Sequence, residues 1–274
     1  MKLPGRIFNF YLDASVHVAL AVYALLQLTS YFLNISIDAH LGYFIFFSTM
    51  ACYNFIKYGV EAKKYILVAN RYHKSIQFVS FIVLGIAVYH SFFFSVNTWI
   101  AVIVLMGLTG FYAMPILPQA KNLRSLGGLK IFLVALVWAG TTVLLPFIAA
   151  DRQMHWDVWT EALQRFILIL VLMIPFEIRD LAYDAPELRT LPQRYGIDVT
   201  KKIGVLGAFV FFMLTFLKDD VSQIEMISKA LLFFFLGLLV LVTKKQQSTY
   251  FSSFWIEGLP IVWWVIVGTL YATV

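Results

Sequence analysis

The sequence predicts an all-α, polytopic membrane protein whose nine transmembrane helices form a single domain over residues 1–274. Its composition is 61% hydrophobic and 13% charged, whereas soluble domains are about 45–50% apolar and about 25% charged. The apolar runs are long and continuous, without the alternation of barrel strands, and therefore indicate helices. Basic residues gather in every second loop, as expected of a chain that crosses the membrane repeatedly.

The predicted spans are apolar runs of about 17–25 residues, enough to cross about 30 Å of hydrocarbon, and the seventh is the shortest. The first follows a basic, interfacial N-terminal segment and has no small-residue cleavage site after it, so we expect no cleavable signal peptide. Pro115 and Pro118 end the fourth span, and Pro186 ends the helix that continues the sixth. In chain order, we predict spans at 15–33, 41–58, 75–94, 97–117, 129–150, 159–176, 202–217, 226–243 and 252–273.

The distribution of Lys and Arg tests this count independently of hydropathy. All but four of the 21 Lys and Arg residues fall on one side of the predicted membrane, and the alternation is unbroken across nine spans. It predicts an integral protein of the cell inner or plasma membrane, with its N-terminus in the cytoplasm and its C-terminus outside. The net charge of +6 lies mostly in these loops. We therefore attribute the charge to topology and expect no nucleic-acid partner.

Three carboxylates follow the sixth span directly. Glu177, Asp180 and Asp184 are spaced three and four residues apart, so that a helix places them on one face. Carboxylates stacked in this way repel one another unless a cation lies between them, and their hard oxygen atoms suit Mg²⁺. The alternative is a solvated helix end in which the acids pair with Arg179 and Arg189.

A second polar group ends the second span. Asn54, Tyr58 and Glu61 share a helical face on the same predicted cytoplasmic side. On that side, Lys121 and Arg124 follow the abrupt end of the fourth span. If the two polar groups meet, carboxylates, cations and an apolar chamber together make a site for a metal-bridged diphosphate that carries an apolar tail.

A further ionisable residue, Glu257, lies inside the ninth span. An acid within a transmembrane helix is a candidate for function, because burying it in hydrocarbon is costly. The alternative is a side chain that reaches the lipid headgroups near the end of the helix. The sequence leaves both interpretations open.

The acidic segment also carries a resemblance to a known family. Ile178-Arg179-Asp180-x3-Asp184, followed by Arg189-Thr190-Leu191-Pro192 and Gly196, resembles the second aspartate-rich motif of the UbiA superfamily of intramembrane prenyltransferases. Phe111-Tyr112 with Pro115, and then the basic segment 121–124, are similar to that family's fourth-helix ending. The resemblance covers essentially the whole chain. It implies a UbiA-like bundle of nine helices with an active site that faces the cytoplasm.

The resemblance assigns roles to the acids. It implies that Asp180 and Asp184 are the catalytic pair that binds Mg²⁺ and the prenyl diphosphate, and that Glu177 fills a position often held by Asn or Asp. The metal ligands expected in this chain are Asp180, Asp184, Glu177 and Glu61.

The first motif of that family is degenerate in this chain. Asn54 is kept, Tyr58 replaces the first Asp, and Glu61 stands one residue before the position of the second. A neutral tyrosine is a poor Mg²⁺ ligand, so one metal site is expected and not two. The residues expected to bind substrate are Asn54, Tyr58, Tyr112, Lys121, Arg124 and Arg179.

The implied reaction is the Mg²⁺-dependent transfer of a polyprenyl group from its diphosphate to an aromatic or lipid acceptor, which is an alkyl transfer other than methyl transfer. The alternative is a non-catalytic UbiA-like membrane protein that binds an isoprenoid lipid or a quinone. The degenerate first motif favours this alternative, whereas the intact Asp180 and Asp184 pair favours the enzyme. A transporter would need a polar pathway near the midplane, and both motifs lie near one face of the membrane.

Overall fold

The computed structural model describes residues 3–60, 71–113, 129–184 and 186–273, and every regular element in those ranges is helical. Three π-helical turns extend or join the α-helices: Phe55–Val60 continues α3, Gly140–Leu144 joins α6 to α7, and Phe251–Ile256 leads into α11. The predicted all-α class is confirmed. The helices are α1 (Leu3–Asp13), α2 (Val16–Leu33), α3 (Ala39–Asn54), α4 (Arg71–Ser91), α5 (Val96–Ala113), α6 (Leu129–Ala139), α7 (Leu145–Ala149), α8 (Trp156–Asp180), α9 (Leu191–Met213), α10 (Gln223–Val242) and α11 (Glu257–Ala272).

Each predicted span falls on one of these helical segments or begins in one. Six helical runs in the described ranges are long and apolar enough to cross a membrane by length and composition: Val16–Leu33, Tyr72–Ser91, Leu129–Ala149, Leu191–Leu217, Gln223–Val242 and Phe251–Ala272. These helices fit an integral membrane protein. The count of nine crossings stays a prediction.

The start of α9 differs most from the prediction. The helix begins at Leu191, well before the predicted span at 202–217. Its first turn is fixed by a capping contact, because the Thr190 N–H donates to Gln193 Oε1 at 3.0 Å, and by a proline in that turn. Gly196, with φ of 77°, then separates this turn from the apolar part of the helix. Hydropathy does not detect such a polar helix start.

The bundle packs around α2 and α8. α2 lies between α3 and α11, and α8 packs against α6, α9 and α10. A small residue lets α9 approach its neighbours closely, because a Cβ at Gly204 would lie 2.8 Å from Val240 and 2.9 Å from Ile174. The largest core cluster joins side chains of α2, α6 and α8–α11.

The bundle has two ends. We call the end at which α3 and α8 terminate the motif end, and the end at which α8 and α10 begin the far end. At the motif end, His17 of α2 binds the Tyr11 hydroxyl through Nδ1 at 2.7 Å and the Phe254 carbonyl through Nε2 at 2.9 Å. A Cβ at Gly258 would lie 3.0 Å from that Nε2 atom. The start of α11 is therefore held closely against α2, where a side chain larger than that of glycine would press on the His17 ring.

Candidate active site

The three predicted acids lie together at the end of α8. The helix ends at Asp180, and a further helical turn follows because the N–H groups of Tyr183 and Asp184 donate to the Asp180 carbonyl at 2.8 and 2.9 Å. The charges of Asp184 and Asp180 both act on Glu177. The described residues contain no group of three or more His, Cys, Asp or Glu side chains close enough to hold a metal ion. The acids are therefore neighbours, but they do not converge on one point.

Asp180 already has a cationic partner. Arg179 donates to its carboxylate from Nε at 2.7 Å and from Nη2 at 3.1 Å, so both carboxylate oxygens are engaged. The guanidinium group also lies over the Phe176 ring, 5.1 Å from the ring centre. The pairing of an acid with Arg179, the alternative derived from the sequence, is thus found for Asp180.

Glu177 is the most deeply buried of the three acids, with 1% of its surface exposed. Its Oε2 accepts the Leu191 N–H at 3.2 Å and so caps the start of α9. Its Oε1 is buried without a hydrogen-bond donor among the described residues. Lys130, at the start of α6, is the cation whose charge acts on it. One carboxylate oxygen therefore has a structural partner, and the other has none among the residues that the structure describes.

Asn54, the residue kept from the first motif, is also buried. Its Nδ2 donates to the Ala14 carbonyl at 3.1 Å and to Ser80 Oγ at 2.9 Å, which ties α3 to the α1–α2 turn and to α4. Its Oδ1 has no hydrogen-bond donor among the described residues. The described contacts therefore join Asn54 to α4 and not to the acids at the end of α8.

Three polar side chains near the π-helical turn after α3 contact Asp13. Lys57 pairs with its carboxylate at 3.4 Å, and the Tyr72 hydroxyl donates to the same carboxylate at 2.8 Å. The Tyr58 hydroxyl donates to the Asp13 carbonyl at 3.0 Å. Tyr58, which replaces an acid of the first motif, thus makes a structural hydrogen bond to the end of α1.

A cavity of about 610 Å³ opens beside Asp13. Helix α1 supplies most of its wall, and α4 supplies one tyrosine. Sequence reasoning missed this cavity because it treated the N-terminal segment only as an interfacial flank. Its lining residues are Arg6, Ile7, Asn9, Phe10, Asp13 and Tyr72.

Four of the predicted site residues are not placed by the structure. Glu61, Lys121 and Arg124 lie outside the described residues, and so does the side chain of Tyr112 in the last turn of α5. Their roles stay predictions.

Glu257 lies at the start of α11, at the motif end. It begins α11 directly after a π-helical turn that packs against α8. The charges of Lys57, from the turn after α3, and of Arg179, from α8, both act on its carboxylate. This half-buried carboxylate makes no hydrogen bond or ion pair with any described residue. The intramembrane acid is therefore placed at the motif end.

Sequence reasoning missed a second cluster of charges, at the far end. Lys229 Nζ lies 2.8 Å from Glu161 and 2.7 Å from Glu225. Lys218 Nζ lies 2.6 Å from Glu225, and Arg165 Nη2 lies 3.1 Å from Glu161. We call these five residues the buried ion network. Its side chains are at most 2% exposed.

The buried ion network is connected to helices beyond its own. Arg165 donates to the Leu25 carbonyl of α2 at 2.8 Å and to Thr142 Oγ1 of the second π-helical turn at 3.1 Å. Burial lowers the pKa of Lys218, which follows the apolar run 191–217. The carboxylates of Glu161 and Glu225 outweigh that effect and raise the pKa above its ordinary value. The ammonium group therefore stays charged at physiological pH.

Comparisons with known proteins give one clear likeness. No protein-family model matches the chain, and no curated protein matches it either. A solved structure, the apo structure of a UbiA homolog from Aeropyrum pernix K1, superimposes with a TM-score of 0.63. The likeness covers 93% of this chain and 95% of that one, at 12% sequence identity. The chain therefore has the fold of a UbiA homolog, in agreement with the resemblance of its second motif.

Proposed function

We propose that this chain is a UbiA-like intramembrane prenyltransferase that transfers a polyprenyl group from its diphosphate to an aromatic or lipid acceptor. The observation that carries the proposal is Oε1 of Glu177, an atom buried near Asp180 and Asp184 for which the described part of the chain supplies no hydrogen-bond donor. The UbiA fold and the apolar helices support it.

The acids at this site offer donor atoms of the kind that a hard divalent cation prefers, although the described residues alone do not bring three of them together. Carboxylate oxygens are the ligands that Mg²⁺ prefers, and a buried carboxylate oxygen without a donor is costly unless a cation or proton approaches it. Asp180, Asp184 and Glu177 would hold the ion, with Glu61 as a further proposed ligand. When bound, Mg²⁺ supplies charge that stabilises the departing diphosphate.

Side chains of the protein neutralise the diphosphate and exclude water from the reacting carbon. Arg179, with Lys121 and Arg124 as proposed partners, neutralises diphosphate oxygens by charge-assisted hydrogen bonds. The bond between the allylic carbon and the diphosphate oxygen breaks, a bond to the acceptor forms, and the acceptor loses a proton. Apolar walls exclude water from the allylic cation. Tyr58 and Tyr112 are proposed aromatic parts of those walls.

The motif end is proposed to face the cytoplasm of the cell inner or plasma membrane, because the basic loops gather at this end. A polar transport route from the motif end to the far end finds no support. Between Arg165 and Glu177, the buried residues of α8 are the apolar side chains Leu168, Ile169, Val171, Leu172 and Ile174, with Pro175.

The test is diphosphate release by the full-length protein in lipid nanodiscs. Prenyl diphosphates of several lengths are supplied with a membrane lipid extract as acceptor, with Mg²⁺ or with EDTA. We expect Mg²⁺-dependent release that falls about 10²–10³-fold in Asp180→Ala and in Asp184→Ala, the range for removing one preorganised electrostatic group.

The control is Asp220→Ala, which removes an exposed acid at the far end and leaves release unchanged. Mg²⁺-dependent binding without release would instead identify the non-catalytic alternative, a protein that binds an isoprenoid lipid. The absence of both binding and release would contradict the proposal.

A further inference from the structure

Helix α1 packs against the bundle with one face and lines the cavity beside Asp13 with another. On the packed face, the Phe8 ring centre lies 5.5 Å from that of Tyr250 and 5.3 Å from that of Phe254. Arg6 and Asp13 are two helical turns apart in α1, so they share a face. Both line the cavity of about 610 Å³. The proposed reaction assigns no role to this cavity.

The lining of the cavity carries one charge of each sign. Arg6 is exposed and makes no hydrogen bond or ion pair with a described residue. The Asp13 carboxylate accepts the Lys57 ammonium group through Oδ1 at 3.4 Å and the Tyr72 hydroxyl through Oδ2 at 2.8 Å. Each carboxylate oxygen can accept a second donor. The cavity therefore offers a cation without a described partner and a carboxylate with acceptor capacity left.

The ion pair between Lys57 and Asp13 leaves that carboxylate accessible. The side chains of Lys57 and Asp13 are 45% and 38% exposed, and an ion pair this exposed contributes little free energy. Lys57 is also absent from the lining of the cavity, whereas Tyr72 is part of it. A second donor can therefore approach Asp13 from the cavity without displacing a strong partner.

Apolar side chains line the cavity between the two charges. Ile7 is 63% exposed, and the Phe10 ring lies edge-on to the Tyr72 ring with 6.2 Å between their centres. Asn9 is held from the packed side, because the Tyr250 hydroxyl donates to its Oδ1 at 2.8 Å. A ligand that fills this cavity thus contacts a cation, a carboxylate and apolar groups at once.

The position of α1 indicates where such a ligand comes from. Only Ala14 and Ser15 separate α1 from α2, which is long and apolar enough to cross a membrane. A short helix with one polar and one apolar face beside a membrane-spanning helix lies in the interface, where its charged side chains are among the lipid headgroups. The ligand that is most abundant at this depth is a phospholipid.

The charges of the lining discriminate between headgroups. An anionic headgroup matches Arg6 but brings its negative charge towards the Asp13 carboxylate, and like charges repel each other. A choline group has no N–H with which to donate to that carboxylate, whereas a primary ammonium group has three. A headgroup with both a phosphate and a primary ammonium group satisfies both residues by charge-assisted hydrogen bonds.

We propose that the cavity beside Asp13 binds phosphatidylethanolamine. Arg6 binds the phosphate, Asp13 accepts from the primary ammonium group, and Ile7 and Phe10 contact the glycerol and the first carbons of the acyl chains. This lipid site is independent of the proposed reaction, because it uses none of the proposed metal ligands.

The experiment measures lipid binding to the full-length protein in detergent by native mass spectrometry. Phosphatidylethanolamine, phosphatidylcholine and phosphatidylglycerol with identical acyl chains are added separately. We expect phosphatidylethanolamine to bind about tenfold more tightly than either of the others, as for one additional charge-assisted hydrogen bond. Equal binding of all three lipids would overturn the proposal.

Two variants assign the charges. Arg6→Gln should weaken binding of phosphatidylethanolamine about tenfold. Asp13→Asn keeps an acceptor for the Tyr72 hydroxyl but loses its charge, so the preference for phosphatidylethanolamine over phosphatidylcholine should disappear and binding of phosphatidylglycerol should improve. A preference that Asp13→Asn leaves unchanged overturns the proposal, because the ammonium group is then recognised elsewhere.

The matched control is Lys245→Gln, which removes an exposed cation at the motif end that does not line the cavity. If it weakens lipid binding as much as Arg6→Gln does, general surface charge explains the binding and the proposal is wrong. Phosphoethanolamine without acyl chains is the last probe. If it binds as tightly as the lipid, the cavity serves a soluble ligand, which contradicts a lipid site. Thermal unfolding verifies that each variant is folded.

Discussion

The two ends of the bundle use the same residue types in opposite ways. At the far end, three cations and two carboxylates are enclosed within the protein and lie 2.6–3.6 Å apart. At the motif end, the Arg179–Asp180 and Lys57–Asp13 pairs are about a third exposed or more, and one oxygen of Glu177 has no donor within the described ranges. Charges that stabilise a protein are mutually satisfied, whereas charges that bind a ligand keep some capacity unused.

The largest effect on stability is expected from disrupting the buried ion network at the far end. Lys229 donates to Glu161, Gln164 and Glu225 at 2.7–2.8 Å and lies over the Phe32 ring. In Lys229→Met, both carboxylates lose a buried cationic partner, which typically costs 3–5 kcal/mol. We expect that loss in the free energy of unfolding, measured by reversible denaturation in detergent.

The matched control is Lys202→Met, which removes an exposed lysine with no network contact. Equal stabilities of the two variants would contradict a structural role for the buried ion network. Diphosphate release per folded molecule should stay near the wild-type value in Lys229→Met, because the network lies away from the motif end.

The sequence predicted the acid cluster of the motif end but not the buried ion network of the far end, and the reason is physical. Glu177, Asp180 and Asp184 are close in sequence and share one helix end, so their spacing alone brings them together. The buried ion network joins two helices, α8 and α10, and Lys218 in the connection before α10. Lys229 is 68 positions from Glu161 along the chain, so no local pattern pairs them.

Hydropathy also placed several charges at the far end incorrectly. It left Lys218 and Glu225 outside the predicted spans, where charged residues are expected to be solvated, but the structure buries both, together with Glu161. The contacts of Asn54 were also unpredictable from the sequence. Residue spacing shows which helical face carries Asn54, but it does not show which helix packs against that face. The fold class, the helix positions and the acid cluster were predictable, since each depends on local periodicity.

An intermediate effect is expected from substitutions of Glu177, because this residue caps α9 and is also a proposed metal ligand. Glu177→Ala removes the acceptor of the Leu191 N–H and should cost about 1 kcal/mol, as for the loss of a helix cap. Glu177→Gln keeps a carbonyl oxygen for that N–H but lacks the charge. We therefore expect Glu177→Gln to unfold like the wild type and both variants to bind Mn²⁺ more weakly.

Unfolding and Mn²⁺ titration of the same two variants distinguish the two roles of this side chain. If Glu177→Gln loses stability but keeps its Mn²⁺ affinity, the buried oxygen serves the fold alone, and the motif end would resemble the far end more closely than proposed.

The smallest effect is expected at Tyr58, where the first motif departs from the family pattern. Its hydroxyl donates to the Asp13 carbonyl, so Tyr58→Phe should destabilise the protein by about 0.5–1.5 kcal/mol, the usual net value of one hydrogen bond. The ring, which is the part proposed to line the apolar chamber, is kept. Mn²⁺ affinity and diphosphate release should therefore be unchanged.

Tyr72→Phe is the control, because it removes the other tyrosine hydroxyl bound to Asp13, at a more exposed position. A loss of Mn²⁺ binding in Tyr58→Phe alone would show that the hydroxyl acts in the site. The first-motif helix would then supply a ligand through the residue that replaced its acid. The division between the two ends would still hold, but the metal site would extend across both motif helices and would no longer depend on the end of α8 alone.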